Sequence, residues 1–140
     1  MATPRRRISR PTWWGIAQAT SQHHGGRPVK WLGDGIMFHF PDPRESALAA
    51  LEMVERTRGA GLPPAHVGVA AGPVVMQDGD YFGRTVNLAA RISGRAGSSE
   101  VLVTTEVVET SSDDVRFEEV GKAELKGFAA PVVLHRASRA

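Results

Sequence analysis

The sequence contains no cysteine, which excludes disulfides, thiolate zinc sites and a cysteine nucleophile. No apolar run approaches the ~20 residues that a membrane-spanning helix needs, and the basic N-terminus lacks the apolar segment of a secretory signal. Acidic residues are missing from Met1 to Gly33, so that Asp34 is the first carboxylate in the chain. These absences make the cytoplasm the expected location.

The charge is nearly balanced. The 17 basic and 15 acidic residues give a formal net charge of +2, so the composition does not imply a nucleic-acid partner. Much of the basic excess lies in Arg5, Arg6, Arg7 and Arg10. A cluster this short is typical of a solvated, disordered arm, and an RNA or membrane-surface role is the alternative.

Turn residues and apolar periodicity predict one compact domain with a mixed order of elements. Residues 1–12 are expected to form an irregular arm. Helices are predicted at residues 13–24, from an Asp42 N-cap to Gly59, and at residues 83–95. Strands are predicted at residues 27–32, 35–40, 66–71, 73–76, 101–104, 115–120, 123–126 and 132–135. This order predicts an α+β fold with an antiparallel or mixed sheet covered by helices on one face.

Two segments combine a charged side chain, a glycine turn and an apolar stretch. They read Lys-Trp-Leu-Gly-Asp-Gly at residues 30–35 and Asp-Tyr-Phe-Gly-Arg-Thr-Val-Asn-Leu-Ala-Ala-Arg at residues 80–91. Together they resemble the nucleotide-handling core of class III adenylate/guanylate cyclase catalytic domains. The resemblance implies a ferredoxin-like, βαββαβ-derived sheet. It also implies a basic arm and partial helix at residues 1–22, a truncated cyclase domain at residues 23–136, and a tail at residues 137–140.

Lys30 and Asp80 match the pattern for adenine recognition. Adenine presents one acceptor and one donor on its pairing edge; lysine supplies only donors, and an ionised aspartate supplies only acceptors. Adenylate-type members of the family carry Lys and Asp at these positions, whereas guanylate-type members usually carry Glu and Cys, so the resemblance implies ATP. Taken singly, Lys30 also fits a solvated strand residue, and Asp80 fits a turn residue beside Gly79.

Asn87 and Arg91 are four residues apart on a predicted helix and therefore project from the same face. The resemblance implies that Asn87 orients the ribose and that Arg91 stabilises charge developing on the α-phosphate. A guanidinium suits that role because its planar fork binds phosphate oxygens bidentately. The structural alternative is an Asn–Arg pair that caps a neighbouring loop.

Asp34 lies in a predicted hairpin turn between Gly33 and Gly35, where glycine allows close approach of a metal ion. In the family this aspartate binds Mg²⁺ or Mn²⁺ together with an aspartate on an earlier strand, in an Asp-Ile/Val-x-Gly-Phe-Thr-type motif. Nothing from Met1 to Gly33 matches that motif. We therefore expect the fold to lack its first strand and the metal site to be incomplete. A plain Asp-Gly turn is the alternative.

Lys126, within Glu-Leu-Lys-Gly-Phe at residues 124–128, matches a lysine that contacts the triphosphate in the family; a solvated hairpin lysine is the alternative. The histidines show no metal-ligand spacing along the sequence, at His23, His24, His39, His66 and His135.

The resemblance implies an adenylate cyclase that converts ATP to cyclic AMP and pyrophosphate by attack of the 3′-hydroxyl on the α-phosphate, assisted by two metal ions. Its expected partners are ATP and a second cyclase domain, in a homodimer or a heterodimer, because each active site of the family lies between two subunits. Two alternatives stay open. One is a non-catalytic, cyclase-like partner that completes another chain's site, and the other is a truncated remnant without activity.

Overall fold

The computed structural model describes residues 1–4, 10–110 and 113–140. Of the basic cluster predicted to be a disordered arm, Arg5, Arg6 and Arg7 lie outside these residues, whereas Arg10 begins a helix. The strands are β1 (Ala2–Pro4), β2 (Arg27–Leu32), β3 (Gly35–His39), β4 (Ala65–Val69), β5 (Val75–Gln77), β6 (Asp80–Phe82), β7 (Val101–Thr104), β8 (Val115–Ala123) and β9 (Val132–Arg139). The helices are α1 (Arg10–His23), α2 (Pro43–Gly59), α3 (Arg84–Arg95) and α4 (Thr105–Glu109).

Seven strands form one sheet in the order β2-β3-β1-β4-β7-β9-β8, and β5 and β6 form a separate hairpin. The pairing of β4 with β7 is parallel, while the other pairings of the large sheet are antiparallel. The sheet is therefore mixed, and it carries helices. This confirms the predicted α+β class.

The helices cover both faces of the sheet, not the single face that was predicted. Val101 and Val103 of β7 pack into one buried cluster with residues of α1, α2 and α4, whereas Leu102 packs into a second cluster with Ile92 of α3. Because successive strand residues point to opposite faces, β7 must be apolar on both. Its uninterrupted Val-Leu-Val run is the sequence signal for this arrangement.

The first residues form a strand in the interior of the sheet, so the prediction of an irregular arm is wrong for Ala2–Pro4. Ala2 is fully buried and pairs with Ile36 of β3 on one side and Val67 of β4 on the other. Residues 2–4 are a strand because they pair with β3 and β4, not because of local propensity. Without them β3 and β4 would present unpaired backbone groups to each other. The expected gap in the sheet is thus filled by β1.

The C-terminal region forms one long hairpin where three short strands were predicted. β8 continues through Gly121, whose φ of 126° accommodates a bulge between Glu119 and Gly121 where an end of the strand was expected. The predicted strand at residues 123–126 is therefore wrong beyond Ala123. β9 extends to Arg139, and its residues 137–139 pair with residues 115–117, although they were predicted to form a tail.

Helix α2 begins as the sequence predicts. The Asp42 side chain accepts a hydrogen bond from the Arg44 N–H at 2.9 Å, and Pro43 occupies the first helical position. Helix α1 packs on α2 through a stripe of buried residues spaced four, three and one apart: Trp13, Ala17, Thr20 and Ser21.

Candidate functional site

Lys30 of β2 and Asp80 of β6 meet in the folded chain. The Lys30 Nζ donates to Asp80 Oδ2 at 2.8 Å, and the Tyr81 N–H donates to Asp80 Oδ1 at 2.7 Å. The hydrogen bond from Lys30 lowers the pKa of the Asp80 carboxyl below its usual range, so this group stays an ionised acceptor. Both side chains remain about one third exposed, which leaves them accessible to a ligand.

Each partner keeps hydrogen-bonding capacity after making this pair. An ammonium has three donors and a carboxylate about four acceptor positions, so one shared bond saturates neither group. The Lys30 Nζ also lies 5.3 Å from the centre of the Phe82 ring. A donor and an acceptor therefore stand side by side next to an aromatic ring, which suits a planar base with both functions on one edge.

Tyr81 holds β6 against the first hairpin. Arg27 donates to the Tyr81 hydroxyl at 2.6 Å, and the His39 ring stacks on Tyr81 with centroids 4.4 Å apart. Burial and the Arg27 charge lower the pKa of His39. Sequence reasoning missed this support, although Tyr81 is the single tyrosine of the chain and stands next to Asp80. The contacts of Tyr81 with Arg27 and His39 fix the position from which the neighbouring Asp80 reaches Lys30.

Asn87, Arg91 and Lys126 line one cleft of about 730 Å³. Asn87 and Arg91 are exposed, one turn apart on α3, and neither side chain has a hydrogen bond or ion pair with the described part of the chain. Lys126 reaches the cleft from the loop that follows β8. The size is in the usual range of ligand pockets, roughly 300–1,000 Å³. The structure thus brings Lys126 to Asn87 and Arg91, which lie in a different segment of the sequence.

Arg84 is a fourth polar residue of this cleft and was missed. Its spacing from Asn87 and Arg91, three and seven positions, is the helical signal that could have found it. The Arg84 guanidinium lies 4.4 Å from the centre of the Phe128 ring, which orients it in the cleft. Gly83, at a φ of 124° that favours glycine, starts α3 beside it. The cleft is therefore cationic and lies at a helix N-terminus, which suits phosphate groups.

Asp34 is exposed at the turn between β2 and β3. The preceding Gly33 has a φ of 62°, as a tight turn requires. The strand next to this turn is β1, which offers Ala2 and Thr3 but no carboxylate. Within the described residues, one group of three metal-ligating side chains lies close together, at His23, His24 and Glu52. Asp34 is not part of it.

A family model for the adenylate and guanylate cyclase catalytic domain matches residues 18–136. The chain belongs to this family. This cyclase domain is 33% identical over 119 residues to the pH-sensitive adenylate cyclase MT1302 of Mycobacterium tuberculosis, covering 79% of the chain and 30% of the relative. It is 42% identical over 86 residues to an adenylate cyclase of Streptomyces coelicolor, covering 61% and 23%. The domain thus spans less than a third of these relatives' lengths.

Solved structures show the same fold. The adenylyl cyclase CyaB from P. aeruginosa superposes with a TM-score of 0.77 at 19% identity, covering 99% of the cyclase domain and 91% of that chain. The guanylate cyclase domain of RhGC from Catenaria anguillulae, in complex with GTP, superposes with a TM-score of 0.83 at 16% identity, covering 99% and 93%. No helix among the described residues of this domain is long and apolar enough to cross a membrane.

The cyclase family generally uses divalent metal ions, so the residues around Asp34 can be tested for fit. Hard divalent cations are held by several oxygen ligands, usually including more than one carboxylate or a carboxylate with substrate phosphates. Asp34 is the one carboxylate at its turn, and the neighbouring strand β1 supplies none. The turn and β1 together therefore offer a single carboxylate, which does not fit a site for two metal ions.

Proposed function

We propose that this chain is an adenylate-type cyclase domain that binds ATP through Lys30 and Asp80. The observation that carries the proposal is the 2.8 Å contact between these two side chains, fifty positions apart in sequence. The contact brings a donor and an acceptor side by side. With Lys30 facing N1 and Asp80 facing position 6 of the base, the pair matches adenine, whereas guanine in the same orientation presents a donor to the lysine and an acceptor to the carboxylate. A mismatched base leaves such polar groups unpaired, which is why these sites discriminate strongly between bases.

The cationic cleft of Arg84, Asn87, Arg91 and Lys126 supports the chemistry that follows binding. In the proposed reaction the ribose 3′-hydroxyl loses its proton to solvent and its oxygen bonds to the α-phosphorus. The bond from the α-phosphorus to the oxygen that bridges it to the β-phosphorus breaks, and pyrophosphate leaves. Asn87 orients the ribose, and Arg91 binds α-phosphate oxygens as their charge grows. Arg84 and Lys126 hold the departing pyrophosphate. Positioning and charge stabilisation account for most catalysis of phosphoryl transfer.

A second candidate function is favoured by the isolation of Asp34. The chain offers residues for the base and for the phosphates, but only one carboxylate at the expected metal site. Such a chain can complete an active site whose metal ligands lie on another cyclase chain. In that case the chain acts as the non-catalytic partner in a heterodimer. The proposed roles of Lys30, Asp80, Asn87 and Arg91 are the same in both candidates, and only the source of the carboxylates differs.

One experiment separates the two candidates. The purified chain is assayed for cyclic AMP formation from ATP with Mg²⁺ or Mn²⁺, alone and mixed with an intact cyclase domain whose own Asn and Arg are replaced by alanine. Activity of the chain alone, abolished by Asp34→Ala, supports an independent adenylate cyclase. Activity in the mixture only supports the partner.

Arg91→Ala tests the proposed role of the cleft in the same assay. Loss of one group that stabilises transition-state charge typically lowers kcat by about 10²–10³. We expect that loss in whichever arrangement is active, with a smaller change in KM. A chain that unfolds cooperatively on heating but gives no activity in either arrangement would contradict both candidates. Absence of a cooperative transition would support the inactive remnant.

A further inference from the structure

Two histidines and two glutamates converge where α1 ends against α2. His23 Nδ1 lies 3.2 Å from Glu52 Oε1, and His24 Nε2 lies 3.2 Å from the same oxygen. His24 Nδ1 lies 2.8 Å from Glu45 Oε2. Helix α1 ends at His23, and the N–H groups of His24 and Gly25 donate to the carbonyl oxygens of Ser21 and Gln22 in the turns that follow. Consecutive side chains of a continuing helix would diverge, and the end of α1 lets these two imidazoles approach.

The spacing of the ligand atoms fits a small transition-metal ion. Zn²⁺ binds imidazole nitrogen at about 2.0–2.1 Å, so two ligands of a regular tetrahedral site are about 3.3 Å apart. The two nitrogen-to-oxygen distances here are 3.2 Å, and the three ligand atoms, one each from His23, His24 and Glu52, lie within 4.8 Å of one another. The His23 side chain is 70% exposed and therefore free to make a small adjustment.

Glu45 gives His24 the orientation that metal-binding histidines usually have. Such histidines donate the N–H of the other ring nitrogen to a carboxylate or carbonyl, which fixes the tautomer and the ring. With Nδ1–H donated to Glu45, the neutral His24 ring turns the lone pair of Nε2 toward Glu52 Oε1, which is itself an acceptor. A cation between these two atoms, either a proton or a metal ion, makes the contact favourable.

We propose that His23, His24 and Glu52 bind a divalent first-row transition metal, with Zn²⁺ as the ion to test, and that Glu45 positions His24. Two imidazoles and one carboxylate suit Zn²⁺, whereas Mg²⁺ prefers oxygen ligands. The fourth position is left to water. Arg56 lies 3.8 Å from the second oxygen of Glu52 and is held by Thr20 at 3.0 Å, so Glu52 Oε1 stays available. The ion would join the end of α1 to α2, and Asp34 is not among its proposed ligands.

The test uses the full chain, freed of metal with a chelator and titrated with Zn²⁺ against a chromophoric chelator in millimolar Mg²⁺. We expect one Zn²⁺ per chain and a Tm that rises with Zn²⁺, because a ligand that binds the native state stabilises it. Glu52→Gln and His23→Gln should weaken binding at least tenfold and remove the rise in Tm. His135→Gln, a histidine on β9 that contacts Thr105, is the matched control and should bind as the unmodified chain does.

Glu45→Ala tests the positioning role separately. Loss of such an outer carboxylate typically costs 10–100-fold in metal affinity, so we expect weaker binding with unchanged stoichiometry. His23→Gln changes a mostly exposed side chain, so it reports on binding even if Glu52→Gln does not fold. Absence of stoichiometric Zn²⁺ binding, or equal binding by His23→Gln and His135→Gln, would overturn the proposal. Each readout is independent of cyclase activity.

Discussion

We propose that Lys30 and Asp80 carry, as a pair, a specificity for the base that neither residue carries alone. Each is an ordinary residue in its own segment, a lysine in β2 and an aspartate at the start of β6. Folding brings them to 2.8 Å and leaves each about one third exposed. A ligand with both a donor and an acceptor can bind the pair, because Lys30 supplies donors and Asp80 supplies acceptors. Reversing that complementarity should therefore reverse the preference for the base.

We expect the double substitution Lys30→Glu with Asp80→Cys to change the preferred nucleotide from ATP toward GTP. Glutamate accepts from the guanine N1–H, and the cysteine removes the acceptor that matched the adenine amine. The affinity for ATP should fall at least tenfold, because unpaired polar groups cost about 1–3 kcal/mol each. Equilibrium binding of labelled ATP and GTP measures this directly. Lys122→Glu, at an exposed position of β8, is the charge-matched control and should leave both affinities unchanged. An unaltered ATP:GTP ratio in the double variant would refute the assignment.

At the scale of elements, the position of α3 depends on a glycine in β4. A Cβ built on Gly68 would stand 2.3 Å from the Ser93 nitrogen and 2.7 Å from the Ala89 carbonyl oxygen, both in the backbone of α3. The helix therefore lies on the strand with no room for a side chain between them. Since α3 also carries Asn87 and Arg91, this contact sets where those side chains stand relative to the sheet.

Gly68→Ala should displace α3 and lower the free energy of unfolding by about 1–3 kcal/mol, the usual cost of overpacking a core. Gly94→Ala is the matched control, because a Cβ at Gly94 meets nothing within 4 Å. That change should be neutral or stabilise by about 0.5–1 kcal/mol, since alanine is the better helix former. Urea unfolding followed by circular dichroism measures both. Equal stability of the two variants would show that α3 does not pack on Gly68 as described.

Helix α2 and strand β1 show which elements the sequence could predict and which it could not. Helix α2 was predictable because its signals are local: Asp42, Pro43 and a periodic apolar face. Strand β1 was not, because three residues carry no periodicity and Ala2 is strand only through its pairing with Ile36 and Val67. The candidate site divides in the same way. Motif spacing identified Asn87 and Arg91, but the Tyr81 support and the histidine–glutamate group depend on contacts between distant segments.

At the scale of the whole molecule, the β5–β6 hairpin presents apolar side chains that none of the described residues covers. Val75 is 60% exposed and Met76 is 64% exposed, and the same hairpin carries Asp80, which with Lys30 forms the proposed adenine pair. Exposed apolar patches of this kind commonly mark interaction surfaces. If the active site is completed by a second cyclase chain, as proposed above, the hairpin beside the adenine pair is where we expect that chain to pack.

We therefore expect Met76→Lys to weaken association with a second cyclase domain while leaving the Lys30–Asp80 pair intact. Burying a methionine side chain contributes about 1.5–3 kcal/mol, so its loss should raise the dissociation constant roughly 10- to 150-fold. Sedimentation velocity over a range of concentrations measures the association, and cyclic AMP formation should fall in parallel. Val120→Lys is the matched control, since Val120 is 49% exposed but lies at the bulge of the edge strand β8. Equal effects of the two lysines would indicate that association does not use this hairpin. A Met76→Lys chain that still binds ATP but no longer associates would support the proposal that one chain recognises the nucleotide and that catalysis needs two chains.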